Sequence, residues 1–361
     1  MKYVDVNPFF FPYSGGIEHR MHDIARLLSD KGHDVTILTS QLKDTPLEEK
    51  TEYGYRVVRL KSRFVDVYNP PFVSSKNVLE TLESMNADVI NYNYRWAPSY
   101  NKDLARYDGP KVFTYHNMWG EGSGMQKKFS MMNDNHFGKK VLPTFDHVVC
   151  VSKFVQEDII SRGVPREKTS LVPPCLSCPP VPSTSPEGDY ILSLGRMVAT
   201  KGLKYLVEAM KDVDCKLIMC GKGPECDKLK KQISELGLET KIDMRGYVSD
   251  KDKEVLMDKC KFFVMPSEFE SFGLAAVELM SHGRPIICSD ADGLPDTVGD
   301  AGIVVPKKNA DALSKAINDL LDDDNKRKQL GVNAVKRANF YTWPSHIDNY
   351  EQTLRKVAFG K

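Results

Sequence analysis

The strongest constraint on this chain is an alternation that occurs twice. Short apolar runs that read as strands alternate with amphipathic segments that read as helices. In the first half, "IEHRMHDIARLLSDKG" reads as a helix closed at Gly32 and "HDVTILTS" as the strand after it. "YRVVRL", "ADVINYN", "PKVFTYH" and "DHVVCVS" read as further strands, and "KFVQEDIISRG" as an amphipathic helix. "PPCLSCPPVPSTSPEGD", Pro173 to Asp189, then brings six prolines and almost no apolar periodicity. It reads as a proline-stiffened linker. The alternation then restarts. "YILSLGR", "CKLIMCG", "KIDMRGY", "CKFFVMPS", "RPIICSD" and "GIVVP" are strands. "GLKYLVEAMKDV", "ECDKLKKQISELGL", "DKEVLMDK", "FGLAAVELMSHG" and "NADALSKAINDLLDD" are helices. Such a pattern calls for an α/β fold with largely parallel sheets. The 361 residues exceed one ordinary core and suit two. The expected organisation is a first domain over 1–173, a linker over 174–188 and a second domain over 189–343. By periodicity the last helix, "PSHIDNYEQTLRKVAF", fits either domain.

Composition narrows the function. Fifty basic and 49 acidic residues leave a net charge of +1. That argues against nucleic-acid binding through bulk charge, though not against a local basic patch. The start "MKYVDVNPFFFPYSGG" shows no secretory leader, and no stretch is apolar enough to span a bilayer. The eight cysteines have no disulfide-scaffold spacing, so a reduced, cytoplasmic protein is expected. Cys175 and Cys178 form a CxxC, but no second pair at zinc spacing follows, and a plain linker pair is the preferred reading.

Two doubly wound sheets facing each other leave a cleft, and ligands bind at the carboxyl ends of strands, beside helix N-termini. Several loops qualify. Gly15 and Gly16 in "SGGIEHR" stand between a strand and a helix, where backbone N–H groups favour an anion. The same loop can be a simple turn, and so can "CGKGPE". Gly195, Arg196 and Lys201 surround the loop after "YILSL". An arginine fork and a lysine point charge at a strand end suit a diphosphate, or they are two solvated surface cations. In "SEFESFGLAAVELMSHG", Glu270 precedes a helix and Glu278 lies inside it. That helix is apolar nearly all round, which suggests burial, and a buried carboxylate needs donors. Sugar hydroxyls could supply them, and so could a helix cap at Glu270 and a structural cation at Glu278.

The ordered set of motifs resembles the retaining glycosyltransferases of family 4, which have the GT-B fold of two Rossmann-like domains across a cleft. "PSEFESFGLAAVELMSHGRPIICSD" resembles their E-x7-E element, and "LSLGRMVATKGLKYLVEAM" their G-R-x4-K-G phosphate element. "SGGIEHR" resembles their N-terminal glycine loop, and "FTYHN" the strand ending in an active-site histidine. "DHVVCVSKFVQEDI", "CGKGPE", "MRGYVS" and "GLPDTVGDAGIVVP" resemble the flanking pieces. The resemblance implies that Glu270 bonds the donor sugar together with the N–H groups of Phe272, Gly273 and Leu274. It implies that Glu278 holds the ribose, that Arg196 and Lys201 bind the diphosphate beside Gly195, and that Gly15 and Gly16 add backbone contacts. His116 would sit by the transferred sugar, and Tyr247 and Val248 near the base. The helix after about residue 343 would cross back to the first domain. Three departures fall in the acceptor half or the hinge. Asn117 stands where many relatives have aspartate, histidines are missing after "ADVINYNY", and "LVPPCL" replaces an Asn-Gly turn.

The expected reaction is retaining transfer of a hexose from a nucleotide diphosphate sugar to an acceptor hydroxyl, in glycan, glycolipid or cell-surface polysaccharide synthesis. No cofactor and no metal are expected, because no Asp-x-Asp stands in a metal-site context and two cations already meet the phosphate charge. The competing readings are an epimerase or phosphorylase of the same fold, with Glu121 and Asp134 as the nearest acid/base carboxylates, and a silent nucleotide-sugar binding protein. The stretch 119–142 mixes Lys127, Lys128, Lys139 and Lys140 with Phe129, Met131, Met132 and Phe137. Such a mixture can lie on an anionic membrane surface or form an ordinary loop and helix beside the cleft.

Overall fold

The computed structural model describes residues 1–65, 71–120 and 124–360. The chain divides into two compact units, Met1–Pro174 with Pro344–Lys361, and Cys175–Trp343.

In the first unit the strands are β1 (Lys2–Val6), β2 (Asp34–Ser40), β3 (Glu48–Lys50), β4 (Arg56–Leu60), β5 (Ser62–Val65), β6 (Phe72–Ser75), β7 (Val89–Tyr92), β8 (Lys111–Tyr115), β9 (His147–Cys150) and β10 (Thr169–Leu171). The helices are α1 (Gly16–Asp30), α2 (Val78–Met85), α3 (Pro98–Leu104), α4 (Gly124–Lys140) and α5 (Lys153–Ser161). The main sheet runs β10-β9-β8-β7-β1-β2-β4-β3. All its neighbours are parallel except the edge pair β3–β4. Strands such as "KVFTY" and "VINY" are buried along their whole length, as a sheet covered on both faces requires. Strand order reverses between β1 and β7.

In the second unit the strands are β11 (Tyr190–Leu194), β12 (Lys216–Cys220), β13 (Ile242–Gly246), β14 (Phe263–Met265), β15 (Ile286–Ser289) and β16 (Gly302–Val305). The helices are α6 (Leu203–Ala209), α7 (Cys226–Glu235), α8 (Asp250–Lys259), α9 (Leu274–Ser281), α10 (Leu294–Val298), α11 (Ala310–Leu321) and α12 (Asp324–Phe340). The sheet order β13-β12-β11-β14-β15-β16 is that of a dinucleotide-type fold. Its switch point lies between β11 and β14.

The proline-rich stretch is tied to the second unit. Leu176 N donates to Tyr341 O at 2.8 Å, Ser183 N to His282 O at 2.9 Å and Gly188 N to Lys259 O at 2.7 Å. The last helix, α13 (Ile347–Phe359), packs in the first unit. There Tyr350 and Tyr3 join their hydroxyls at 2.9 Å, and Lys31 reaches Asp348 at 2.5 Å.

Candidate active site

The two loops at the switch point of the second sheet carry most of the candidate residues. Arg196 follows β11. It is exposed and makes no ion pair among the described residues. Lys201 ends the short turn before α6, and with Gly195, Arg196 and Ser267 it lines one small cavity. Gly202 caps α6 at φ +61°, where a Cβ would lie 2.0 Å from the carbonyl oxygen of Pro266. Only glycine lets the two loops approach this closely. Thr200 O then accepts from the N–H groups of Glu268 and Phe269 at 2.8 and 3.2 Å. The loop after β14 is thereby fastened to the loop after β11.

This fastening brings Glu270 onto Lys201, and the two form an ion pair with side chains 13% and 22% exposed. Glu270 does not cap α9. The cap residue is Gly273 at φ +94°, with no side-chain bond, which corrects the capping alternative. The two cations are also unequal, since Lys201 already has a carboxylate partner. Asp292 supports the loop from behind, accepting from Glu270 N at 3.1 Å, while Gly293 N donates to Glu270 O at 3.0 Å. Burial raises the Asp292 carboxyl above its ordinary value. At Glu268, hydrogen bonds from Lys308 and Lys204 outweigh burial and hold the carboxyl below its ordinary range.

The expectation that Glu278 is buried needs correction. Helix α9 buries Ala276, Val277, Leu279 and Met280, but the Glu278 side chain is 32% exposed and meets Lys253 of α8 at 3.3 Å. An eight-residue helix leaves room for one open edge even when most of its residues are apolar. Phe272 is buried edge-to-face against Tyr341, with ring centres 5.2 Å apart, and Leu274 is half-buried at the helix start. Tyr247, just past β13, is 70% exposed with the Lys222 ammonium 5.7 Å from its ring centre. Val248 beside it packs on the core.

In the first unit Gly15 is the N-cap of α1 and Gly16 opens it. Sequence reasoning missed Glu18 here. Its carboxylate folds back over the turn, so that a Cβ on Gly15 would lie 2.8 Å from Glu18 Oε2. Asn7 Nδ2 donates to Glu18 Oε1 at 3.2 Å. Burial lifts the Glu18 carboxyl to about 7. An acidic residue in a helix's first turn was the available signal. His116 follows β8, with Nε2 3.0 Å from Asn93 Oδ1. Burial and the guanidinium groups of Arg20 and Arg95 hold its pKa well below 6.5.

Asp134 is wholly buried and committed to structure. It pairs with Arg95 Nε at 2.8 Å, and accepts from Trp96 Nε1 at 2.7 Å and Gly120 N at 2.8 Å. A carboxylate so engaged is not a free acid or base, so this epimerase candidate is withdrawn. Glu121, the other, lies outside the described residues. Among the described residues no group of three or more His, Cys, Asp or Glu side chains is placed to hold a metal ion.

A glycine-edged cation pair beside a carboxylate, at a switch point, can hold an anionic group and a polyhydroxylated group side by side. Known families agree with that arrangement. The model for Glycosyltransferase Family 4 matches residues 14–178, and that for Glycosyl transferases group 1 matches residues 181–337. An uncharacterized glycosyltransferase of Methanocaldococcus jannaschii is 26% identical over 97% of each chain. The phosphatidyl-myo-inositol mannosyltransferase of Mycolicibacterium smegmatis is 25% identical over 94% of this chain and 89% of its own. The crystal structure of Anabaena HepE in complex with UDP and glucose superposes with a TM-score of 0.74 at 19% identity, covering 99% of this chain and all of that one. The two models meet at the proline-rich stretch and together take in both α/β units, so the chain belongs to the family 4 glycosyltransferases and has their GT-B fold.

Proposed function

We propose that this glycosyltransferase moves a hexose from a nucleotide diphosphate sugar to an acceptor hydroxyl with retention at the anomeric carbon. The observation that carries the reading is the gathering of Arg196, Lys201 and Glu270 at one switch point. Arg196 and Lys201 bind the diphosphate and stabilise its charge as it leaves. Glu270 and the N–H groups of Phe272, Gly273 and Leu274 hold the sugar. Glu278 holds the ribose, and Tyr247 and Val248 border the base. On the family resemblance, Gly15 and Gly16 serve the diphosphate and His116 the sugar. Retention commonly uses a carboxylate nucleophile. Glu270, paired with Lys201, is assigned to sugar hydroxyls, and the family resemblance implies front-face attack with the donor phosphate helping to take the acceptor proton. HepE with UDP and glucose supports a nucleotide-sugar donor, and the mannosyltransferase supports a glycolipid acceptor.

Two mutants test the division of labour between the glutamates. Glu278→Gln gives up a charge-assisted hydrogen bond of roughly 1.5–3 kcal/mol and should weaken the free nucleotide diphosphate as well as the donor. Glu270→Gln should leave affinity for the free nucleotide nearly intact and cut transfer, because its hydrogen bonds tighten as the sugar flattens. Calorimetric binding beside initial rates decides. Equal loss of nucleotide affinity in both variants refutes the assignment.

No metal enters this reading, so a chelator should leave turnover unchanged. Loss with EDTA that magnesium or manganese restores would show that the phosphate charge is met otherwise.

The acceptor side includes α4, whose Phe129 and Met132 are 52% and 65% exposed beside exposed Lys127, Lys128, Lys139 and Lys140. Among the described residues no helix is long and apolar enough to cross a membrane. Apolar side chains flanked by lysines suit the surface of an anionic bilayer. The protein should co-sediment with anionic liposomes and not with neutral ones. No sedimentation with either removes membrane contact from the proposal.

A further inference from the structure

A chain of buried polar side chains lies beneath His116, where strand order reverses in the first sheet. Asp5 of β1 is fully buried. Its Oδ1 accepts from Asn91 Nδ2 at 2.9 Å and from Asn93 Nδ2 at 2.6 Å. Asn91 Oδ1 accepts from Thr114 Oγ1 at 2.7 Å. Asn93 Oδ1 lies 3.0 Å from His116 Nε2 and accepts from Asn91 Nδ2 at 3.2 Å. The members come from β1, β7 and β8, three neighbours in the sheet.

Asp5 sets the direction of these bonds. A carboxylate has no proton to give, so both amides must turn their NH2 groups toward it. Were Asp5 protonated on Oδ2, its Oδ1 would accept in the same way. Each amide then presents its oxygen on the other side, Asn91 to Thr114 and Asn93 to His116. An amide oxygen only accepts, so His116 Nε2 must carry the proton. In a neutral ring Nδ1 then has none and can only accept.

The arrangement is costly. Asp5 Oδ2 is buried without a hydrogen-bond partner, and such an atom is destabilising. Val4 and Val6 on either side are buried as ordinary core. The buried Arg20 guanidinium and the Tyr3 hydroxyl both favour the charged form of Asp5, so the carboxylate is held in place by its neighbours as well as by the two amides.

We propose that Asp5, acting through Asn93, is a positioning residue that locks His116 in its Nε2–H tautomer and offers Nδ1 as an acceptor to a hydroxyl of the bound sugar. This rests on the reading of His116 as a sugar contact. The chemistry is selective, because a neutral Nδ1 can bond a hydroxyl but cannot bond the unprotonated oxygens of a phosphate or carboxylate.

The test uses the full chain labelled with ¹⁵N-histidine. Among eight histidines, His116 is assigned by the ring signals that vanish in His116→Gln. Long-range proton–nitrogen spectra should show a neutral Nε2–H ring from about pH 8 down to about pH 5.5, where an ordinary histidine has titrated. In Asn93→Ala the Nδ1–H form should appear beside it. Should that variant not fold, Asp5→Asn serves, because an amide at position 5 can turn either end toward Asn93. A wild-type ring in the Nδ1–H form overturns the proposal, as does a ring unchanged in the folded variant. Kinetics supply the second arm. Asn93→Ala should lower kcat roughly five- to tenfold, the size of one hydrogen bond, with affinity for the free nucleotide diphosphate unchanged. A tautomer shift without a change in kcat would uphold the lock and remove His116 from the sugar site.

Discussion

Lys201→Ala is expected to lower transfer by about 10²–10³-fold, as when a transition state is deprived of one preorganised charge. Arg196→Ala should act in the same direction. The two differ in what they do to the fold. Arg196 is exposed and outside any ion pair among the described residues, so its removal should change stability by about 0.5 kcal/mol or less. Lys201 is the partner of Glu270, and its removal leaves a mostly buried carboxylate without its cation. Lys201→Ala should therefore show a lower melting temperature along with the fall in turnover. Lys201→Arg separates the effects, because it restores the ion pair without restoring the ammonium's position. Initial rates and thermal melts of the three variants are the measurement. Turnover near wild type in both alanine variants would refute the phosphate assignment.

The largest stability effect is expected at Asp134→Ala, at about 3–5 kcal/mol. Asp134 is wholly buried and satisfies Arg95, Trp96 and the Gly120 N–H together. The Arg95 guanidinium also lies 4.3 Å from the Trp96 ring centre and 5.2 Å from that of Tyr115. Removing the carboxylate strands a buried cation and frees the start of the stretch leading into α4. Asp319→Ala is the control. Its pair with Lys315 on α11 is more than half exposed on both sides and should contribute under about 1 kcal/mol. Equal melting temperatures for the two variants would show that the Asp134 cluster does not hold this part of the fold.

Much of the architecture was legible because it is local. Alternating apolar runs and amphipathic segments revealed two α/β halves, and the parallel sheets of both units bear that out. The long helix α12 escaped the same reasoning. Its buried residues are Arg327, Gly331, Ala334 and Ala338, a stripe of small residues and one arginine stem. A face that packs through small side chains leaves little hydrophobic periodicity to detect.

At the site, residue types were legible and partnerships were not. Glycine beside cations at a strand end, and two glutamates within one motif, stand out in the sequence. That Lys201 pairs with Glu270 depends on β11 lying beside β14, although 69 residues separate the partners. Periodicity shows that a strand exists but carries no record of its neighbour. Glu278 shows the converse, since its helix looks buried in the sequence while the packing leaves one edge open.

The sequence by itself determined the fold class, the motif loops and the chemical groups those loops carry, because each depends on residues within a turn or two of one another. Tertiary structure decided which cation is already neutralised, which aspartate is structural and which nitrogen of His116 bears a proton. Those properties depend on strand order, and strand order follows from packing whole elements into a closed core.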